Sequence, residues 1–495
     1  MGWHMRARLL RACLLAAPAP ALAPCASADT SQQPAAITWE PYTLRAGDKT
    51  FEFPLGRLDV PENHAGSGGP TIKLAFVKLS ATTATPGPPI IYLAGGPGGS
   101  GIAGAGIPYL WDLFTALRAV GDVLLLDQRG TGRTQPSLAC PRAGPAPLDL
   151  FESEAKFQSS FAEVMEACAR QLRDRGVRPE HYTTPASADD IEQLRRALGV
   201  DKVSLLGFSY GTHLGLSAIR RHGDGIHRAV LAGVEGPEHN EKLPSVWDLQ
   251  LERLAWYTRN DPTIGRLAPD LVATWREILE RVDREPIRLP AYPDSGANGP
   301  MLVIGRYGLQ YLLMRDLGDT NDWPILPGLI VRTSQGNLQL LGSFARRRWS
   351  QAGGLSLMGV AMDCASGASA ERHAQVLREA ARSYFGNAMN PITGEVCRTT
   401  GAADLGEDYR ARFWSPVPTL FVSGTLDAQT PPHQAEEVRW GFPNGRHLVV
   451  EHSGHESTLD RPAVRELVVR FLSGEDVGEM RIVPEKPRFR GPGGE

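Results

Sequence analysis

The run Gly207-Phe208-Ser209-Tyr210-Gly211 sets one hydroxyl between two glycines at the end of an apolar stretch. Residues 203–206 read as a short buried strand, and residues 212–221 as a helix with Leu214, Ala218 and Ile219 on one side. Ser209 then occupies a sharp strand-to-helix turn, where glycine lets chain segments crowd and the following helix aims its N-terminus at the hydroxyl. The chemistry such a turn serves is nucleophilic attack on an acyl group. A serine hydroxyl is a weak nucleophile, so it needs a base, and the base needs an orienting carboxylate. In parallel sheets these groups lie beyond the carboxyl ends of strands. The strand at 419–423 runs into Gly424-Thr425-Leu426-Asp427, and the strand at 447–451 into His452-Ser453-Gly454-His455. We assign Asp427 as the carboxylate. His455 is preferred to His452 as the base, because it lies beyond a Ser-Gly turn with room to reach Ser209, whereas His452 is expected to pack against the strand end. Negative charge developing on the attacked carbonyl calls for backbone N–H donors. The loop Ala94-Gly95-Gly96-Pro97-Gly98-Gly99-Ser100-Gly101 follows the strand at 89–93. One donor is assigned to Gly96, with Gly95 as the alternative, and the other to Tyr210. The loop lacks the Gly-Lys-Ser/Thr ending of a phosphate-binding loop, which removes that reading.

The elements that must position these groups alternate. Strands are expected at 51–60 and 71–79, joined by turn chemistry at 66–70, then at 89–93, 123–126, 203–206 and 228–232. Helices are expected at 110–120, 154–173 and 189–198, the last capped by Ser187. Near-continuous apolar strands alternating with helices imply an α/β fold, a mostly parallel sheet covered by helices on both faces. From 235 to 400 the rhythm changes. Helices at 247–257, 267–282, 306–316 and 370–384, with long Gly- and Pro-rich connections, read as a mostly helical cap inserted after the sixth strand. The first part of the core is therefore placed at 29–234 and the second, with Asp427 and His455, at 401–475. Residues 476–495 read as a flexible tail or a strap across the surface.

The motif set Gly95-Gly96-Pro97-Gly98-Gly99-Ser100-Gly101, Asp127-Gln128-Arg129-Gly130-Thr131-Gly132, Gly207-Phe208-Ser209-Tyr210-Gly211, Gly424-Thr425-Leu426-Asp427 with Pro431, and Gly454-His455 resembles the proline iminopeptidase and tripeptidyl aminopeptidase family of α/β-hydrolases. The chain order serine, aspartate, histidine is that of the α/β-hydrolase fold. The entry Gly56-Arg57-Leu58-Asp59-Val60-Pro61 resembles the secreted tripeptidyl branch. The resemblance covers about residues 53–232 and 417–472. It implies an exported aminopeptidase that cleaves small peptides near a free N-terminus through an acyl-enzyme. One departure is Ala94, where many relatives carry histidine; a backbone donor does not need that side chain. The family meets the substrate amine with cap glutamates, and Glu235 and Glu238, just past the strand at 228–232, are the candidates here. Asp127 and Arg129 are read as a brace between strand end and oxyanion loop. Two alternatives stay open: a carboxylesterase or other acyl hydrolase on the same triad, and an inactive scaffold acting as a binding protein. Epoxide hydrolases and dehalogenases of this fold place an aspartate where Ser209 stands.

Composition narrows the rest. The 495 residues are 42 % hydrophobic and 22 % charged with a formal net charge of −3, which offers no basic surface for nucleic acid. No run of about 18 apolar residues follows the N-terminal region, so no membrane span is expected. Residues 1–28 read as a signal peptide: Arg6, Arg8 and Arg11, an apolar stretch at 12–23, and Ala26-Ser27-Ala28 as the cleavage site. The protein is thus expected in the periplasm or secreted, with a lipid anchor on Cys25 as the lesser alternative. An oxidising compartment lets Cys140, Cys168, Cys364 and Cys397 pair, and closeness in sequence favours Cys140–Cys168 and Cys364–Cys397 among three connectivities. No C-x-x-C pair is present, and no metal or organic cofactor is expected.

Overall fold

Strands whose residues are apolar on both faces must be covered on both sides, and the sheet is built around four such strands. In the computed structural model, which describes residues 36–490 except 67, 142, 143, 295–298, 353, 393 and 479, ten strands form one sheet. They are β1 (Thr38–Ala46), β2 (Lys49–Pro61), β3 (Thr71–Leu79), β4 (Ile90–Leu93), β5 (Val123–Asp127), β6 (Val203–Phe208), β7 (Ile226–Ala232), β8 (Thr419–Gly424), β9 (Gly445–Val450) and β10 (Met480–Ile482). Their spatial order is β1-β2-β3-β5-β4-β6-β7-β8-β9-β10. The pairs β1–β2, β2–β3 and β3–β5 are antiparallel and the others parallel. The fully buried strands β4, β5 and β8, with β6 buried up to Phe208, put the ends that carry the candidate groups at the centre. Residues 1–28, expected as a signal peptide, and Cys25 lie outside the described residues.

This sheet holds two strands more than the pattern predicts, β1 before the insertion and β10 after it. In β1 only Leu44 and Ala46 are buried, so its sequence reads as polar, and the helical insertion follows the seventh strand in chain order. Helices α1 (Pro108–Leu117), α2 (Glu154–Asp174), α3 (Thr184–Ala197) and α4 (Tyr210–His222) precede the insertion. Helix α3 begins earlier than expected. Thr183, not Ser187, accepts from the Ala186 N–H, with Pro185 in the first turn, and Ser187 is buried inside the helix. The insertion holds α5 (Pro244–Arg259), α6 (Leu271–Arg284), α7 (Arg306–Leu317), α8 (Leu326–Ser334), α9 (Gln339–Gln351), α10 (Leu357–Ser366), α11 (Ala370–Ala380) and α12 (Gly394–Thr400). Then follow α13 (Gly406–Arg410), α14 (Pro432–Arg439) and α15 (Pro462–Leu472). Helices α1 and α15 cover one sheet face through Leu113, Phe114, Val468 and Phe471, while α2, α3 and α4 cover the other through Met165, Leu194 and Leu214.

The insertion divides between two hydrophobic clusters. Trp247, Trp275, Leu313, Trp323 and Phe344 build a core of its own, which also takes in Leu150 and Phe151 from the segment before α2. In return Leu357, Met358 and Met362 of α10 and Val396 of α12 join the cluster under the sheet. Cys140 is bonded to Cys168, and Cys364 to Cys397. In the C-terminal segment β10 pairs with β9, Phe489 is buried in the cap cluster, and the Arg490 N–H donates to the Pro324 carbonyl at 2.9 Å. No helix among the described residues is long and apolar enough to cross a membrane.

The loop after β5 is a brace in two directions. Asp127 accepts from Ser100 Oγ at 2.5 Å and the Ile102 N–H at 3.1 Å, and Gln128 Nε2 donates to the Ala94 carbonyl at 2.9 Å. Arg129 turns away from the glycine-rich loop after β4. It is fully buried, donates to both oxygens of Asp190 at 2.8 and 2.7 Å, and also reaches the carbonyls of Glu62 and His181. Replacing Arg129 by alanine leaves a buried carboxylate without its cation, so we expect urea unfolding to show a loss of about 3–5 kcal/mol. A loss below 1 kcal/mol would mean that water or His64 replaces the guanidinium.

Candidate active site

Ser209 sits where β6 becomes α4, at φ 55° and ψ −128°. A serine held there costs about 1–3 kcal/mol and needs neighbours that over-determine it. They are present: the Ser209 N–H donates to the Ala232 carbonyl at 2.9 Å, and its carbonyl accepts from the Thr212 N–H at 2.8 Å. A methyl carbon on Gly211 would lie 2.0 Å from the Leu93 carbonyl oxygen, so no other residue fits the inside of the turn. The loop after β4 presses on the serine from above, since a methyl carbon on Gly95 would lie 2.8 Å from Cβ of Ser209. Gly96, the next residue, holds φ 126°.

Asp427 and His455 meet beside this turn. His455 Nδ1 lies 2.8 Å from Oδ2 of Asp427, and both side chains are buried. Asp427 also accepts from the N–H groups of Gln429 at 2.8 Å and Thr430 at 2.9 Å, and from Thr430 Oγ1 at 2.6 Å. Burial alone raises a carboxyl pKa, but the imidazole and the Thr430 donors outweigh it and hold Asp427 below the ordinary carboxylate range. For His455, burial pushes downward and the facing Asp427 carboxylate pushes upward, helped by Asp319 and Glu456; the net direction is up. The His455 ring stands 5.0 Å from that of Phe208, the residue before Ser209. A methyl carbon on Gly233, one residue past the Ala232 carbonyl that anchors Ser209, would lie 3.1 Å from His455 Cε1. Ser209, Asp427 and His455 are therefore gathered at one place. His452 is not part of it. At φ 54° its ring turns to the cap, where Nδ1 meets the Tyr257 hydroxyl at 2.6 Å, instead of packing on the strand end. Thr430 was missed from sequence; its signal is its place three residues past the aspartate.

The two glutamates differ in surroundings. The Glu235 N–H donates to Thr212 Oγ1 at 2.8 Å, which brings it within one turn of the serine, but its carboxylate is buried against the Lys242 ammonium. Burial pushes its pKa up, yet Lys242 and His213 outweigh that and keep it below the usual range. Glu238 lies farther along and accepts from Ser369 Oγ at 2.8 Å. The acid that sequence reading overlooked is Asp363 of α10. Burial, reinforced by Glu235, pushes its carboxyl well above the ordinary range, and among the described residues that carboxyl has no hydrogen-bond or ion-pair partner.

A family model for the α/β hydrolase fold matches residues 88–267, the stretch that holds β4, the glycine-rich loop after it and the serine turn. A second, described as TAP-like protein, matches residues 381–477, which hold Asp427 and His455. The chain has the α/β-hydrolase fold and carries a TAP-like match in its C-terminal part. This hydrolase is 31 % identical over 222 residues to a tripeptidyl aminopeptidase of Streptomyces lividans, covering 42 % of this chain and 40 % of that protein. It is 26 % identical to the serine protease Hip1 of Mycobacterium tuberculosis, over 41 % of this chain and 40 % of that protein. It is also 30 % identical to a carboxylesterase B of Mycobacterium tuberculosis, over 59 % of this chain and 49 % of that protein. The matches thus span less than half the length of these curated relatives.

Proposed function

We propose that this α/β-hydrolase is a serine hydrolase in which Ser209 attacks, His455 takes its proton and Asp427 orients the imidazolium, and that its substrates are short peptides with a free N-terminus. The single observation that carries the reading is the buried 2.8 Å contact between His455 and Asp427 beside a serine held at positive φ. The Gly96 and Tyr210 N–H groups receive the oxyanion, the acyl group passes to Ser209, and water releases it through the same histidine. The Cys140–Cys168 and Cys364–Cys397 bonds favour work in an oxidising compartment, in line with export.

A peptide amine loses its hydration on entry and must meet a carboxylate. Glu235 is already matched by Lys242, so the acid without a counter-charge is Asp363, with Glu235 behind it. A substrate amine arriving neutral would take the proton of the Asp363 carboxyl and leave an ammonium–carboxylate pair. A fluorophosphonate probe tests the nucleophile: labelling on Ser209 supports the reading, and labelling elsewhere or none ends it. Aminoacyl and tripeptidyl anilides with free and acetylated termini test the substrate class. The Asp363→Asn variant should lose roughly 10- to 100-fold in kcat/KM on free-amine substrates, the worth of a hydrogen bond to a charged group, and little on acetylated ones. Equal losses on both would remove the amine role. The similarity to a carboxylesterase supports a second reading as an esterase. Faster turnover of short acyl esters than of any anilide would favour it.

A further inference from the structure

Helix α10 belongs to the insertion by sequence, yet it lies against both elements that supply the oxyanion donors. A methyl carbon on Gly359 would lie 2.6 Å from the Pro97 carbonyl oxygen, and one on Gly98 would lie 3.1 Å from Ser356 Oγ, so the first turn of α10 rests on the oxyanion loop. One turn on, Met362 Sδ accepts from the Tyr210 hydroxyl at 2.6 Å, holding the residue whose N–H is the second donor. The same helix touches the loop after β5, where a methyl carbon on Gly130 would lie 3.2 Å from Cβ of Met358.

Both ends of α10 are held against one anchor, α2, each through one disulfide and one noncovalent contact. Before it, the short strand Gly354–Ser356 pairs with Ala139–Pro141, and Cys140 in that strand is bonded to Cys168 of α2. At its far end Cys364 is bonded to Cys397 of α12, which packs along α2. There Arg173 of α2 donates to the carbonyls of Thr399 and Thr400, each at 3.0 Å. The two disulfides therefore lie at opposite ends of the segment that presses on the oxyanion loop, one on α2 and the other on α12 packed along it.

We propose that α10 is a positioning element for the oxyanion donors and that the Cys364–Cys397 bond fixes it, so that turnover depends on the oxidation state of this cysteine pair. The inference rests on the reading of Ser209 as nucleophile and of Gly96 and Tyr210 as donors. A dithiol reagent opens the bond by exchange: its two thiols become a cyclic disulfide while Cys364 and Cys397 each gain a hydrogen. α10 then keeps only its noncovalent hold at that end. Donor groups displaced by about 1 Å lose roughly 100-fold in rate without weakening ground-state binding.

The test uses the whole protein with Cys364→Ser and Cys397→Ser combined. It reads fluorophosphonate labelling rate, kcat and KM on a p-nitrophenyl ester, and near-ultraviolet circular dichroism. The expected result is a native spectrum with kcat and labelling both down roughly 10- to 100-fold and KM little changed. A natively folded variant that labels and turns over at the wild-type rate overturns the inference. If the double variant fails to fold, Gly359→Ala decides. It keeps both disulfides and drives a methyl group toward Pro97, and it should give the same kcat loss at unchanged KM; wild-type kcat would again overturn the proposal. A wild-type protein that the probe does not label would bring down the Ser209 reading itself, which the variants by themselves do not.

Discussion

Ser209→Ala should abolish turnover, with kcat down on the order of 10⁵-fold, while the thermal unfolding midpoint stays at or above that of the wild type. The size follows from a triad that acts as a unit: removing the nucleophile costs about as much as removing all three groups and leaves only oxyanion stabilisation and binding. The stability half follows from the backbone. Position 209 holds φ 55° and ψ −128°, a region where a side chain is strained. Ser209→Gly carries this further, since glycine has no Cβ to strain there, and it should stabilise the fold by about 1 kcal/mol while being equally inactive. Enzyme assays beside differential scanning calorimetry check both halves. Residual turnover above 1 % of wild type, or a glycine variant less stable than the parent, would refute the assignment.

Asp427→Asn should lower kcat by roughly 10⁴-fold, because an amide no longer fixes the productive imidazole tautomer or stabilises the imidazolium. The pH profile gives an independent check. His455 must be neutral to accept the serine proton, and Asp427 with Asp319 and Glu456 outweighs burial and raises its pKa. In the wild type, activity should therefore fall on acidification through a value above that of an ordinary histidine, and be full above it. In Asp427→Asn the main upward push is gone while burial remains, so the acid limb should move to lower pH. A limb that stays in place would separate the profile from this pair.

The candidate site was legible where each group closes a continuous apolar strand. Ser209 after β6, Asp427 after β8 and His455 after β9 are marked by a strand that ends abruptly in glycine or a polar turn. What stayed hidden has physical reasons. Helix α10 is buried on nearly every side, so Leu-Met-Gly-Val-Ala-Met carries no polar face and no helical period. The reverse holds for β1, which is mostly exposed and so lacks an apolar alternation. The state of Glu235 depends on Lys242, which a loop folds back onto it, and no spacing rule reports such a pair. Asp363 was passed over because a lone acid in an apolar run has no motif around it.

The exchange of parts between the two clusters bears on how a substrate enters. Phe151 belongs to the sheet-bearing segment but is buried in the helical layer, while Met358 and Met362 cross the other way. Lifting that layer as a lid would pull such side chains into water at about 2–3 kcal/mol each. An entrance of fixed frame therefore costs less than a hinged one.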